Sequence, residues 1–152
     1  MVTHKLLLDM DATRFEALYD ALPDEVSGAL DVPVAKMLNS RLETARRRPK
    51  PMKLRALRAF LSRQRDDELA MEMLRGYLLG PRKELVTGFL DGTGIKHEDG
   101  QVEDDDAEPD EKKVPACIQQ LMSDHDPEDV KLYVRVAAMQ WPESEALQKE
   151  VT

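Results

Sequence analysis

Two histidines with neighbouring carboxylates are the residues whose types could bind a metal ion. His97 precedes two acidic residues, and His125 lies between two aspartates. Imidazole and carboxylate groups are common ligands of zinc and related metals. A site that combines His97, Asp99 and His125 would make the chain a metal-dependent enzyme, and the sequence keeps this as one alternative.

The spacing of these residues matches no established metal motif. His97 and His125 stand 28 positions apart, and neither has a glutamate three positions before it, as di-iron helical bundles require. An EF-hand calcium loop needs a carboxylate five positions before its central glycine. The glycines near His97 place Thr87, Phe89 or Ile95 at that position instead. We therefore predict no bound metal and no cofactor.

A β-hairpin followed by a loop explains the same segment more simply. The Asp99-Gly100 dipeptide favours the positive φ angles of a tight turn, which would pair His97 with Val102 inside a short hairpin at 95–103. Residues 104–112 follow, and acidic side chains dominate them. Because such a stretch buries little apolar surface, we predict an acidic mobile loop there.

A second candidate site is basic. Between residues 41 and 65 there are ten lysines and arginines against one acidic residue, whereas residues 91–130 hold fourteen acidic residues against three lysines. A helix through the basic segment would carry arginines along one side and leave them available to an anionic partner. The predicted partner-binding residues are Arg46, Arg47, Arg48, Arg55, Arg58 and Arg65.

Three kinds of partner fit the basic segment. An acidic protein is the favoured partner, because the net charge of −8 opposes general affinity for nucleic acid. Nucleic acid bound by residues 46–65 is the first alternative, and the acidic loop of a second copy of the chain is another. A purely solvated helix face, neutralised by the protein's own acidic loop, is the explanation without a partner.

No motif for catalysis or for membrane insertion is found in the chain. Nucleophile elbows and glycine-rich phosphate loops are absent from the sequence, which favours a protein that is not an enzyme. Cys117 is the only cysteine, so the chain cannot form an internal disulfide, and no apolar run approaches the length of a membrane span. We therefore expect a soluble cytoplasmic protein with no membrane partner.

Helical periodicity predicts an all-α fold. We expect a compact bundle of about six or seven helices, with residues 1–152 forming a single domain. The helices at 67–79 and 128–140 are apolar around most of their circumference and should be central. Other helices are predicted over 12–22, opened by a capping box of Thr13 and Glu16, and over 33–47. The predicted function is a non-catalytic interaction or regulatory module that acts through charged surfaces.

Overall fold

The computed structural model describes residues 3–151, which form α-helices and one two-stranded antiparallel hairpin. The predicted all-α fold is confirmed. The Cα positions divide the chain into two compact units, one up to Gly80 and one from Pro81 onward. The two helices predicted to be central lie in different units, and the single-domain organisation stays a prediction.

The described part of the N-terminal unit consists of helices and short connecting segments, with no strand. Its core contains Leu7, Phe15, Leu57, Leu61 and Leu74, all fully or almost fully buried. The helices are α1 (Thr3–Leu8), α2 (Ala12–Ala21), α3 (Asp24–Ala29), α4 (Asp31–Leu38), α5 (Leu42–Arg46), α6 (Lys50–Gln64) and α7 (Asp67–Leu79). Helix α6 packs against α4 and α1, and α7 packs against α1, α2 and α3.

Side-chain caps and left-handed residues set the ends of these helices. Asp11 caps α2 by accepting a hydrogen bond from the Arg14 backbone N–H at 2.7 Å, so the predicted Thr13 capping box is wrong. The helix predicted over 33–47 is interrupted because Asn39 adopts the left-handed conformation with φ 50°, which ends α4. Asp66 caps α7 through the Leu69 N–H at 2.9 Å.

The C-terminal unit joins four helices to the hairpin. Its core is built around Phe89, Tyr133 and Trp141, and the Phe89 and Tyr133 rings meet edge to face with centroids 5.3 Å apart. The elements are α8 (Lys83–Gly92), β1 (His97–Glu98), β2 (Gln101–Val102), α9 (Val114–Asp124), α10 (Pro127–Gln140) and α11 (Glu145–Val151). Helix α9 packs against α8 and α10, and α10 packs against α11.

The hairpin has the predicted register. His97 pairs with Val102 and Glu98 pairs with Gln101. Asp99 and Gly100 both have positive φ, 57° and 93°, as a two-residue turn of this kind requires.

Both helices predicted to be central contribute to the core of their own unit, although α7 buries only five of its 13 residues and α10 seven of its 14. Helix α7 buries Met73 and Tyr77 among others, and α10 buries seven of its side chains. None of the helices within residues 3–151 combines the length and the apolarity that are needed to cross a membrane.

Candidate functional site

The predicted partner-binding arginines lie at the end of α5 and along α6. Pro49 lies immediately before α6 and separates it from α5, because the helical conformation is disfavoured for Arg48, the residue before this proline. Arg47 ends α5, Arg48 follows it, and Arg55 lies in the second turn of α6. Helix α6 buries Ala56 and Leu57 with Leu61, so its opposite face is exposed to solvent.

Three cations of the basic segment are held by acids of the N-terminal unit. Lys53 donates to the buried Asp31 carboxylate at 3.1 Å, and Arg46 approaches the other Asp31 oxygen at 3.5 Å. Lys50 lies between Glu16 and Asp20 at 3.0 and 3.1 Å, and the hydrogen bonds to these two carboxylates raise the pKa of Lys50. The Lys50 and Lys53 pairs connect α6 to α2 and α4, and the Arg46 pair connects α5 to α4.

Arg58 is also used inside the unit. Its guanidinium donates to the carbonyl oxygens of Leu8 at 2.8 Å and Met10 at 2.6 Å, and it stacks 5.0 Å from the Phe15 ring centroid. Leu8 is the last residue of α1, so Arg58 satisfies one carbonyl group that this helix end leaves free, and a second at Met10 just beyond the helix. Arg58 therefore has a structural role that the sequence did not predict.

The remaining predicted arginines form what we call the arginine surface: Arg47, Arg48, Arg55 and Arg65. All four are exposed, and none makes a hydrogen bond or ion pair through its side chain with another residue in the described range 3–151. Helix α6 is about 22 Å long at 1.5 Å per residue. Arg48 precedes its start and Arg65 follows its end.

Two further arginines share these properties and were not predicted. Arg63 lies eight residues after Arg55 on α6, and Arg41 precedes α5; both are exposed and lack a side-chain partner within residues 3–151. The spacing of Arg63 from Arg55, just over two helical turns, could have identified it. No comparable signal marks Arg41.

The acidic segment of the C-terminal unit is held by several hydrogen bonds. The Trp141 indole donates to the Ala107 carbonyl at 2.8 Å, and the Asp110 N–H donates to the Thr93 carbonyl at 2.9 Å. The Glu111 carboxylate accepts from the Ala146 N–H at 2.9 Å, which caps α11. These bonds argue against the mobility predicted for residues 104–112, although the fluctuation of the loop itself stays a prediction.

Two of the three candidate metal ligands, His97 and Asp99, pair with other side chains of the C-terminal unit. His97 accepts the Gly100 N–H through Nδ1 at 3.1 Å, so its Nε2 donates to the Asp91 carboxylate at 2.7 Å. Asp99 pairs with Lys83 at 2.8 Å. His125 ends α9. No group of three His, Cys, Asp or Glu side chains within residues 3–151 has an arrangement that could hold a metal ion.

Cys117 is half-buried between α8 and α9. Its thiol lies 3.8 Å from the Gly88 carbonyl oxygen, and burial raises the pKa of the thiol. A raised pKa keeps the thiol protonated and poorly nucleophilic at neutral pH.

No protein-family model, curated protein or solved structure matches this chain.

Proposed function

We propose that the protein is a non-catalytic interaction module that binds an acidic segment of a partner protein on the arginine surface. The observation that supports this proposal is that Arg47, Arg48, Arg55 and Arg65 are exposed and unpaired within residues 3–151. Their neighbours in sequence, Arg46, Lys50 and Lys53, all pair with acids of the same unit.

Arginine suits this role for a physical reason. A guanidinium group presents a planar fork of donors that can bond both oxygens of a carboxylate, and it is less strongly hydrated than an ammonium group. Desolvation therefore costs less when a partner covers arginines than when it covers lysines. All four groups of the arginine surface are guanidinium groups, while both lysines of the segment are engaged with Glu16, Asp20 and Asp31.

Charge complementarity would mainly determine which partner binds and how fast the two molecules associate. Exposed cations raise association rates and reject basic surfaces, while each exposed pair contributes little to affinity. We therefore expect binding that weakens as ionic strength rises, because the Debye length falls from about 10 Å at 0.1 M salt to about 3 Å at 1 M. The cytoplasm is the proposed location, in keeping with a chain that has a single cysteine.

Fluorescence anisotropy with a labelled oligoglutamate peptide tests the proposal. The full chain should bind the peptide at about 50 mM salt and lose most of that affinity at about 300 mM. The variant Arg47→Glu/Arg55→Glu should weaken binding by about tenfold or more, since it places like charges opposite the peptide.

The matched control is Lys36→Glu/Arg75→Glu, which makes the same change in net charge at two other exposed cations of the N-terminal unit. It should bind the peptide nearly as the unchanged protein does. Equal losses in both variants would mean that only overall charge matters, and the arginine surface would not be a binding site.

Nucleic acid is the second candidate partner, because a phosphate group accepts the same forked hydrogen bonds from arginine. We therefore titrate random-sequence DNA in parallel, in single-stranded and in double-stranded form, at the same charge as the peptide. If the chain binds DNA more tightly than the peptide, and if Arg47→Glu/Arg55→Glu abolishes that binding while the control variant keeps it, nucleic acid would become the proposed partner in place of an acidic protein.

A further inference from the structure

Four carboxylates of the C-terminal unit are exposed and have no partner. They belong to Glu103, Asp105, Asp106 and Glu108, which we call the acidic tip. None of the four makes a hydrogen bond or an ion pair through its side chain with another residue of the described range. The acidic tip lies in the segment that joins β2 to α9, whereas the arginine surface belongs to the N-terminal unit.

Other acids of the same segment are engaged by backbone N–H groups. Asp110 accepts a hydrogen bond from the Lys112 N–H at 3.1 Å. Glu111 accepts one from the Ala146 N–H at 2.9 Å. The contrast between engaged and free charges that marks the basic segment is therefore also found in the acidic one.

A tight turn holds the backbone of the acidic tip. The Ala107 N–H donates to the Asp104 carbonyl oxygen at 3.0 Å, which closes a four-residue turn with Asp105 and Asp106 at its centre. The Asp104 carboxylate accepts the Asp106 N–H at 2.9 Å, and the Ala107 carbonyl oxygen accepts the Trp141 indole N–H at 2.8 Å. The two central carboxylates are thus carried by a backbone that is already ordered.

The acidic tip matches the arginine surface in number of charges, in chemistry and in length. Four unpaired carboxylates face the requirement of four unpaired guanidinium groups, and each guanidinium can bond both oxygens of a carboxylate. The chain from Glu103 to Glu108 spans at most about 17 Å. This span is within the length of about 22 Å that α6 provides.

We propose that the arginine surface binds the acidic tip of a second copy of this chain, so that the protein self-associates head to tail. This inference rests on the proposed function, because it names the acidic segment that the arginine surface binds. A second copy supplies that segment at the concentration of the protein itself. A backbone that is already ordered also loses little conformational freedom on binding.

The net charge of −8 on each copy opposes association at long range. At 0.1 M salt, however, exposed charges more than about 10 Å apart are largely screened, so the groups in direct contact decide the outcome. Each exposed ion pair strengthens binding by less than about fivefold. We therefore expect a weak and reversible complex that dissociates as the salt concentration rises.

Sedimentation equilibrium of the full chain measures this self-association. At about 50 mM salt the average mass should rise with protein concentration up to about 1 mM, and at about 300 mM salt it should stay that of one chain. The variant Arg47→Glu/Arg55→Glu should be monomeric under both conditions. The control Lys36→Glu/Arg75→Glu changes the net charge equally and should still associate at low salt.

A second variant removes the acidic tip by converting its four acids to amides: Glu103→Gln/Asp105→Asn/Asp106→Asn/Glu108→Gln. This tip variant should associate about tenfold or more weakly, although the loss of four negative charges reduces the general repulsion between copies. The control Glu98→Gln/Glu143→Gln/Glu145→Gln/Glu150→Gln neutralises four other exposed acids of the unit and should associate at least as strongly as the unchanged chain. Stronger association of both variants would mean that net charge alone matters, and would overturn the proposal.

Mixing two deficient variants tests the contact between copies. The tip variant keeps the arginine surface, and Arg47→Glu/Arg55→Glu keeps the acidic tip. An equimolar mixture at low salt should therefore form a complex with one copy of each, although neither variant associates alone. Circular dichroism checks that both variants are folded. A mixture in which every chain stays monomeric would refute the contact.

Peptide binding separates this inference from the proposed function. The labelled oligoglutamate peptide should bind the tip variant at least as tightly as the unchanged chain, because no second copy competes for the arginine surface. If the peptide binds while the unchanged chain stays monomeric at every concentration, the second copy is excluded and the proposed function stands. If the peptide binds neither the tip variant nor the unchanged chain, both the proposed function and this inference are wrong.

Discussion

The indole Nε1 of Trp141 donates a hydrogen bond to the carbonyl oxygen of Ala107 at 2.8 Å. This bond attaches the acidic loop to the residue that ends α10. Pro109, two residues further along the loop, is buried, although every acidic side chain of the loop is exposed. The loop thus presents its carboxylates to solvent while its backbone is held against the unit.

Replacing Trp141 by phenylalanine should release part of this loop. A ring against Phe89 is kept, but the indole donor and part of the buried ring volume are lost, so we expect a loss of about 1–3 kcal/mol in the free energy of unfolding. Urea unfolding followed by circular dichroism measures that loss. Amide hydrogen exchange at Ala107 and Asp110 should become faster in the variant. If the amides of Ala107 and Asp110 already exchange freely in the unchanged protein, that result would instead support a fully mobile loop.

Arg58 and Arg55 should differ sharply when each is replaced by methionine. Arg58→Met removes two hydrogen bonds to backbone carbonyls and the contact with Phe15, and should cost about 1–3 kcal/mol of stability. Arg55→Met should stay within about 0.5 kcal/mol, because the side chain is exposed and unpaired. Thermal or chemical unfolding of the two variants is compared. Similar stabilities would show that Arg58 does not support the end of α1.

Gly92 and Cys117 should show strong coupling. Gly92→Ala places a Cβ atom 2.6 Å from the Cys117 sulfur and should destabilise the protein by about 1–3 kcal/mol. Cys117→Ala removes the sulfur and leaves a Cβ–Cβ contact of 3.5 Å, which is an ordinary distance. The double variant should therefore be more stable than Gly92→Ala alone. A double-mutant cycle of unfolding free energies measures the coupling, and additive effects would contradict it.

Asp67 should contribute to the acid sensitivity of the N-terminal unit. A hydrogen bond from the backbone N–H of His4, followed by one from its ring, lowers the pKa of Asp67. Because the pKa of Asp67 is lower in the folded state than its unfolded value of about 3.9, the ionised carboxylate stabilises the folded state at pH values above the unfolded pKa. This stabilisation is lost as the pH falls through the folded-state pKa.

The variant Asp67→Asn tests that sign. The stability difference between the unchanged protein and the variant should be largest at neutral pH and should shrink below about pH 4. Urea unfolding between pH 7 and about pH 2 measures it. Asp9→Asn, at an exposed carboxylate, serves as the control and should show no such dependence. A difference that grows on acidification would refute the assignment.

Features encoded in a few adjacent residues could be predicted from the sequence. The turn at Asp99 and Gly100 depends on the backbone preferences of two residues, and its register follows from them. Asp66 and Asp126 cap their helices for an equally local reason, since each accepts an N–H two or three positions ahead.

Features that depend on distant residues could not be predicted. Arg58 and Arg55 have the same chemistry and differ only in what the folded chain brings near them: Arg58 meets Leu8 and Met10, 50 and 48 residues away. The close approach of Gly92 to Cys117 likewise needs α8 to meet a helix that begins at Val114. Asn39 shows the intermediate case, because asparagine tolerates the left-handed conformation but does not require it.

The position of Trp141 has a practical consequence for following how this protein unfolds. It is the only tryptophan of the chain and lies beyond Pro81, so its fluorescence emission reports on the C-terminal unit alone. Far-ultraviolet ellipticity, in contrast, comes from helices on both sides of that proline. A cooperative single domain gives superimposable denaturation curves from the two signals. Two separately melting halves would give an ellipticity curve with an additional step that tryptophan emission does not detect.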